Sequence, residues 1–225
     1  PAIRLVGNDP VVATTAGVAV TAWELEDLLD GPVDPATVGA LAGQLHAATA
    51  VALGEGRIDP AVAAFDPLGV VAEQLGAATG TDDVALLQQR LAEVGAAWVV
   101  ADPLPTGIVH GDLHVDNVLT TRRGPVLADL ELAGVGPVAY DLVAPLVAVE
   151  RYGADPTTLD DYLAAYGTPL PDTARHGPLR DAYELWLTAW AVANRHLDAD
   201  HEAEAQRRMQ RWRTPDGDLP RWTLR

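Results

Sequence analysis

The chain contains no cysteine, which excludes disulfides, thiolate metal sites and thiol catalysis. It also contains no lysine: all fifteen basic residues are arginine, and against 32 acidic residues they leave a formal net charge of −17 at pH 7. Outside Gln206-Arg207-Arg208-Met209-Gln210-Arg211-Trp212-Arg213 there is no basic stripe. Phosphate backbones and anionic lipid surfaces are therefore repelled, and neither nucleic acid nor membrane is expected as a partner. Long apolar runs are scarce, each being cut by charge or proline, so no bilayer-spanning stretch is expected. Pro1-Ala2-Ile3-Arg4 lacks the basic-then-apolar shape of a signal peptide. A cytoplasmic location is the expectation for such a composition.

What is present suffices for one substantial globular unit: 225 residues, 48% of them hydrophobic. The chemistry-bearing residues crowd into His110-Gly111-Asp112-Leu113-His114-Val115-Asp116-Asn117-Val118-Leu119. Thr106-Gly107-Ile108-Val109 before it reads as a turn and a buried strand; Val118-Leu119-Thr120-Thr121 reads as a second strand, closed by Arg122-Arg123-Gly124-Pro125. A third apolar run, Val126-Leu127-Ala128, delivers Asp129 and Glu131 where Ala133-Gly134-Val135-Gly136-Pro137 breaks the pattern. Such a hairpin returns Asp129 toward Asp112 and Asn117, so one hard cation such as Mg²⁺ could take oxygen ligands from two loops.

The order His110-x-Asp112-x-x-x-x-Asn117, then Asp129 at a strand end, then Gly136-Pro137-Val138-Ala139-Tyr140-Asp141-Leu142, resembles the aminoglycoside phosphotransferase and choline kinase family, relatives of the protein kinases. The resemblance is specific over about residues 106–142. It implies an α+β, protein-kinase-like fold: a mainly helical C-terminal lobe over residues 31–225, preceded in residues 1–30 by a truncated remnant of the N-terminal β lobe. It further implies transfer of the ATP γ-phosphoryl group to a small-molecule hydroxyl, with Mg²⁺ as cofactor. In those terms Asp112 is the base, Asn117 and Asp129 hold the metal, and His110 and Asp141 organise the loop. Trp23, Glu24 and Leu25 occupy the linker whose backbone meets adenine. His114, Asp116 and Glu131 are weaker candidates for supporting roles.

Kinase-like phosphotransferases usually grip the phosphates with a lysine from an early strand beneath a flexible loop, and this chain has neither. Ile3 to Val6, Pro10 to Thr15 and Val18 to Trp23 read as short strands resembling the last ones of the N-terminal lobe. The remaining strands and the lysine are expected upstream of Pro1, whether through fragmentation, processing or natural shortening. An unpartnered sheet edge would favour self-association. Two other functions stay open: a noncatalytic, pseudokinase-like binding module, and a metal-dependent hydrolase using His110, Asp112, His114 and Asp116 on one side of an extended strand. A polycationic acceptor would be attracted by the net charge, but acidity also serves solubility, so charge does not choose the substrate.

The flanks read as helices. Asp34 caps and Pro35 opens a helix reaching Gly54, with His46 as a structural residue. Residues 54–80 read as an irregular connection with a short helix near Gly69 to Leu75. Further helices are expected from Asp82, from Ala139 to Val149, from Asp155 through Tyr166, from Pro178 to Leu197 and from Asp200 to Trp212. Trp98, Tyr183, Trp186 and Trp190 lie on apolar stripes and read as packing.

Overall fold

A computed structural model describes residues 12–13, 19–20, 27–60, 64–78, 82–99, 105–214 and 219–223. The proposed adenine linker, Trp23, Glu24 and Leu25, lies outside the described residues. Of the N-terminal segment, β1 (Val12–Ala13) and β2 (Ala19–Val20) pair antiparallel.

Helix α1 (Pro35–Gly54) begins as its sequence dictates. The Asp34 carboxylate accepts the Ala36 amide, and Pro35 occupies a first-turn position where no amide is needed. Val38 and Leu41 are buried, each worth about 1.5–3 kcal/mol. The helix lies along α5 (Pro156–Tyr166), itself capped by Asp155. Gly39 permits that approach, since a Cβ there would run into the Tyr162 carbonyl. By length and mean hydropathy α1 could cross a membrane, which corrects the expectation that no stretch is long enough. Alanine and glycine supply that length, and in the fold this helix packs into the core beside α5.

Helix α2 (Pro67–Ala77), capped by Asp66, is longer than the sequence pattern indicates. It and α3 (Asp82–Val99) contribute Val71, Leu75, Val84 and Leu87 to the core. Strand β3 (Thr106–Val109) follows, then a loop, one 3₁₀ turn (Val115–Asn117), and the hairpin of β4 (Val118–Thr121) and β5 (Gly124–Leu127). The stretch expected as a pattern break is a strand, β6 (Gly134–Pro137), antiparallel to β3 with Gly107 opposite Gly136. Its glycines hide it from a periodicity reading, yet packing demands them: a Cβ on Gly136 would lie 2.9 Å from that of Phe65.

The expected helix from Ala139 divides into a 3₁₀ turn (Val138–Leu142) and α4 (Val143–Glu150). The turn brings Asp141 beneath residues 110 and 111, whose amides its carboxylate accepts. A short α6 (Asp172–His176) leads into α7 (Pro178–Asn194), and α8 (Ala199–Arg213) closes against it. The break between them comes three residues earlier than expected. Asp198 starts α8 by accepting the His201 amide.

Between these last helices lies a buried charge cluster. Glu184 is fully buried and accepts hydrogen bonds from Arg151 (2.8 Å), Arg180 (3.2 Å) and Arg211 (2.7 Å). Burial alone would raise its pKa, but the Arg151 hydrogen bond and the charges of Arg151, Arg180 and Arg211 outweigh that and hold it below 4.5. Because the folded value lies below the unfolded one, the stabilisation is complete above the unfolded value and is lost as pH falls through the folded value. The denaturation midpoint is therefore expected to hold near neutrality and to fall below the ordinary glutamate value of 4.5. Glu184→Gln should lower the midpoint at pH 7 and flatten the acid-side fall. An equally steep fall in the variant would remove Glu184 as its source.

Candidate active site

The loop from His110 to Asn117 is fixed at three points. The first is Asp141, which is 1% exposed. One carboxylate oxygen accepts the His110 amide (2.8 Å) and meets His46 Nε2 (2.9 Å); the other accepts the Gly111 amide (2.9 Å). His46 is in turn held by the Tyr166 hydroxyl at 3.0 Å. Sequence reading left His46 as a structural residue of α1. Its role in supporting the loop depends on a partner 95 positions away.

The second point is His110 itself, wholly buried. The Ala128 carbonyl can only accept, so the 2.8 Å contact puts the proton on Nε2, leaving Nδ1 to receive the Asp112 amide at 3.4 Å. The imidazole thus ties the loop to the end of β5, one residue before Asp129. Gly111 is the third point, with φ at 92° and a Cβ position only 2.8 Å from that of Leu132. A side chain there would be both strained and obstructed.

With the loop so held, the Asp112 carboxylate is one quarter exposed. The Tyr183 hydroxyl donates to its Oδ1 at 3.1 Å, and His114 Nε2 lies 3.4 Å from Oδ2. Burial, then the Asp112 charge, pushes the Tyr183 phenol well above its ordinary value of 10. Tyr183 therefore stays protonated and serves as a fixed donor. The Asn117 amide group donates to the Asp112 carbonyl at 2.8 Å. Because that carbonyl cannot donate, Asn117 Oδ1 must face away from it.

Asp129 is exposed and carries the one positive φ (56°) among the described non-glycine residues. Aspartate tolerates this conformation better than most residues. It turns the chain out of β5, whose ladder is continued by the Ala128 amide donating to the Asn117 carbonyl at 3.0 Å. Neither the Asp129 carboxylate nor Asn117 Oδ1 has a hydrogen-bond partner among the described residues. Both are hard oxygens of the kind Mg²⁺ takes, on segments that the β4–β5 hairpin makes neighbours. Asp116 is exposed, and its amide is received by His114 Nδ1 at 3.3 Å. Glu131 is exposed beside a separate cleft that also borders Asp66 and Glu73.

The hydrolase reading needed an extended strand through residues 110–116. The segment is instead a loop running into a 3₁₀ turn, and both nitrogens of His110 are committed to backbone groups. Among the described residues no three His, Cys, Asp or Glu side chains are grouped to hold a metal.

Asp112 borders a cavity of about 280 Å³ whose walls include Val147, Tyr152, Tyr183, Trp186 and Trp190. Sequence reading placed the last three in packing. They do pack, since Tyr183 meets Tyr140 edge to face and Trp186 obliquely. The same i, i+3, i+7 face of α7 also forms the cavity wall, and helical spacing cannot tell a core face from a pocket face.

These features belong to a class. The model of the Phosphotransferase enzyme family (APH) matches residues 18–179, and the chain is a member of that family. No curated protein sequence matches it. Among solved structures it is similar to a choline/ethanolamine kinase family protein from Mesorhizobium loti, with 21% identity, 94% of this chain and 73% of that chain covered, and a TM-score of 0.59. It is also similar to amicoumacin kinase hAmiN in complex with AMP-PNP, Ca²⁺ and Ami, with 16% identity, 98% and 74% covered, and a TM-score of 0.68. Spectinomycin phosphotransferase in complex with ADP and spectinomycin is a third, at 12% identity, 94% and 71% covered, and a TM-score of 0.55. The shared fold is the mainly helical, kinase-like α+β architecture that the motif order implies.

Proposed function

We propose that the chain transfers the γ-phosphoryl group of ATP to a hydroxyl of a small molecule, with Asp112 as the base. One observation carries this: the Asp112 carboxylate, on a loop fixed by Asp141 and His110, borders a cavity large enough for a small ligand. In the reaction the acceptor oxygen bonds to the γ-phosphorus as the bond to the β,γ-bridging oxygen breaks. The electron pair leaves with ADP, and the hydroxyl proton passes to the Asp112 carboxylate. Tyr183 and Asn117 orient that carboxylate, and orientation supplies much of what phosphoryl transfer asks of a protein. Mg²⁺, held by Asp129 and the Asn117 amide oxygen, would neutralise charge on the phosphate oxygens. The AMP-PNP and ADP complexes of the similar kinases support a nucleotide donor, with Trp23, Glu24 and Leu25 as its proposed adenine contacts.

The test is transfer of radiolabelled γ-phosphate from ATP to hydroxyl compounds in the presence of Mg²⁺. The absence of lysine favours a second reading, a noncatalytic module that binds ligands in the same cavity. Ligand binding without any phosphate transfer would select that reading.

The metal assignment gives a separate expectation. Asp129→Asn should weaken joint binding of Mg²⁺ and nucleotide by about tenfold or more, as loss of a metal-supporting group commonly does, while Asp116→Asn stays near the parent. Asparagine tolerates the positive φ, so the backbone is not perturbed. Calorimetry showing equal effects of the two substitutions would remove Asp129 from the metal site.

A further inference from the structure

Cages of aromatic rings are the usual device for binding an organic cation, because ring faces are electronegative. One such cage stands at the wall of the cavity beside Asp112, and the protein fills it with a cation of its own. The Arg208 guanidinium carbon lies 5.0 Å from the centre of Trp222, 5.8 Å from Tyr152 and 6.0 Å from Trp190. Arg208 is 1% exposed. Its guanidinium donates to Glu204 (2.8 Å), to the Leu187 carbonyl (2.7 Å) and to the Tyr152 hydroxyl (3.0 Å). Tyr152, Trp190 and Arg208 itself line the cavity, so the two rings on that side already hold a fixed cation.

Charge on the remaining wall leads the same way. Among the described residues lining the cavity, Asp112 is the one carboxylate. A cation paired with it would occupy the group that must receive the hydroxyl proton. An acceptor with several ammonium groups would have to set any that enter the cavity against Val147 and Leu187, apolar walls that offer no partner. The net charge of −17 draws cations to the molecule as a whole but places no second carboxylate on this wall.

We infer that the acceptor is an uncharged hydroxyl compound with a largely apolar body, and that ammonium-bearing acceptors are discriminated against. This rests on the phosphotransfer proposed above. It is tested with a pair differing only in charge, 3,3-dimethylbutan-1-ol and its quaternary ammonium isostere choline, with kanamycin as a polycation. Binding is read by saturation-transfer NMR and tryptophan fluorescence, and turnover by label transfer from ATP with Mg²⁺. Salt is kept at 0.15 M, where screening over about 8 Å suppresses nonspecific attraction. The neutral alcohol is expected to bind at least tenfold more tightly than choline, and kanamycin not to compete with it.

Equal or tighter binding of choline or kanamycin would overturn the inference, and so would failure of the neutral alcohol to bind at millimolar concentration. Preferred phosphorylation of kanamycin or choline would overturn it while upholding phosphotransfer. Binding of the neutral alcohol with no phosphate transferred to any acceptor would uphold the pocket's selectivity and refute the phosphotransfer reading. The paired variant Glu204→Gln with Arg208→Met removes the cage cation together with its carboxylate partner, Arg207 keeping its bond to Thr223, and should narrow the gap between choline and its isostere. An unchanged gap in the folded variant would show that Arg208 does not set the discrimination.

Discussion

Asp112→Asn is expected to lower phosphoryl transfer by about 10²–10⁴-fold, the usual contribution of a positioned acid or base, while the protein unfolds at nearly the same denaturant concentration as the parent. Asparagine is the informative replacement. The buried Tyr183 hydroxyl donates to Asp112 Oδ1, and an amide oxygen at the same place still accepts that bond. Alanine would leave the hydroxyl unpaired at a cost of about 1–3 kcal/mol, mixing a stability loss into the rate. The Asn117 bond to the residue 112 carbonyl is untouched by either change. With the scaffold preserved, a fall in turnover reports loss of proton acceptance, and KM for the acceptor should move far less than kcat. A folded Asp112→Asn protein with near-parental turnover would exclude Asp112 as the base.

The opposite profile is expected from Asp141→Ala, which should destabilise the fold by about 3–5 kcal/mol, the range for breaking a buried charged pairing, and lower turnover in whatever fraction remains folded. The carboxylate is the shared acceptor for His46, the His110 amide and the Gly111 amide. Its removal leaves those buried donors without the acceptor they share. Asp141→Asn should be milder, since its amide oxygen can keep the side facing two donors, although its NH₂ then opposes the Gly111 amide and cannot accept from it. Urea denaturation ranks the series as parent, Asn, Ala. An Ala variant as stable as the parent would show that the loop is held by other means. On these expectations loss of Asp141 damages stability and rate together, as for a positioning residue, whereas loss of Asp112 lowers rate alone.

The family was legible in the sequence. The order His110, Asp112, Asn117, Asp129, Asp141 implied it, because residues that share one loop and the hairpin and turn after it keep readable separations along the chain. Helix starts at Asp34 and Asp155 were legible for a similar reason: a cap and the amides it receives are two or three residues apart. Strand β6 was not, because two glycines leave no alternation to read, and the tight turn before α4 was hidden within an apolar run.

Everything that depends on partners distant in sequence was decided by tertiary structure. His46 reaches Asp141 across 95 positions and Tyr183 reaches Asp112 across 71, and no local pattern encodes either meeting. The apolar period of α7 announced that Tyr183, Trp186 and Trp190 share a face, but not that the face borders a cavity. Likewise the composition announced fifteen arginines without indicating that one of them would occupy an aromatic cage. Periodicity and capping are set by neighbours along the chain, so the sequence alone carries them. Which side of a helix meets core, cavity or charge is set by what the rest of the chain brings against it, and only the packed structure determines that.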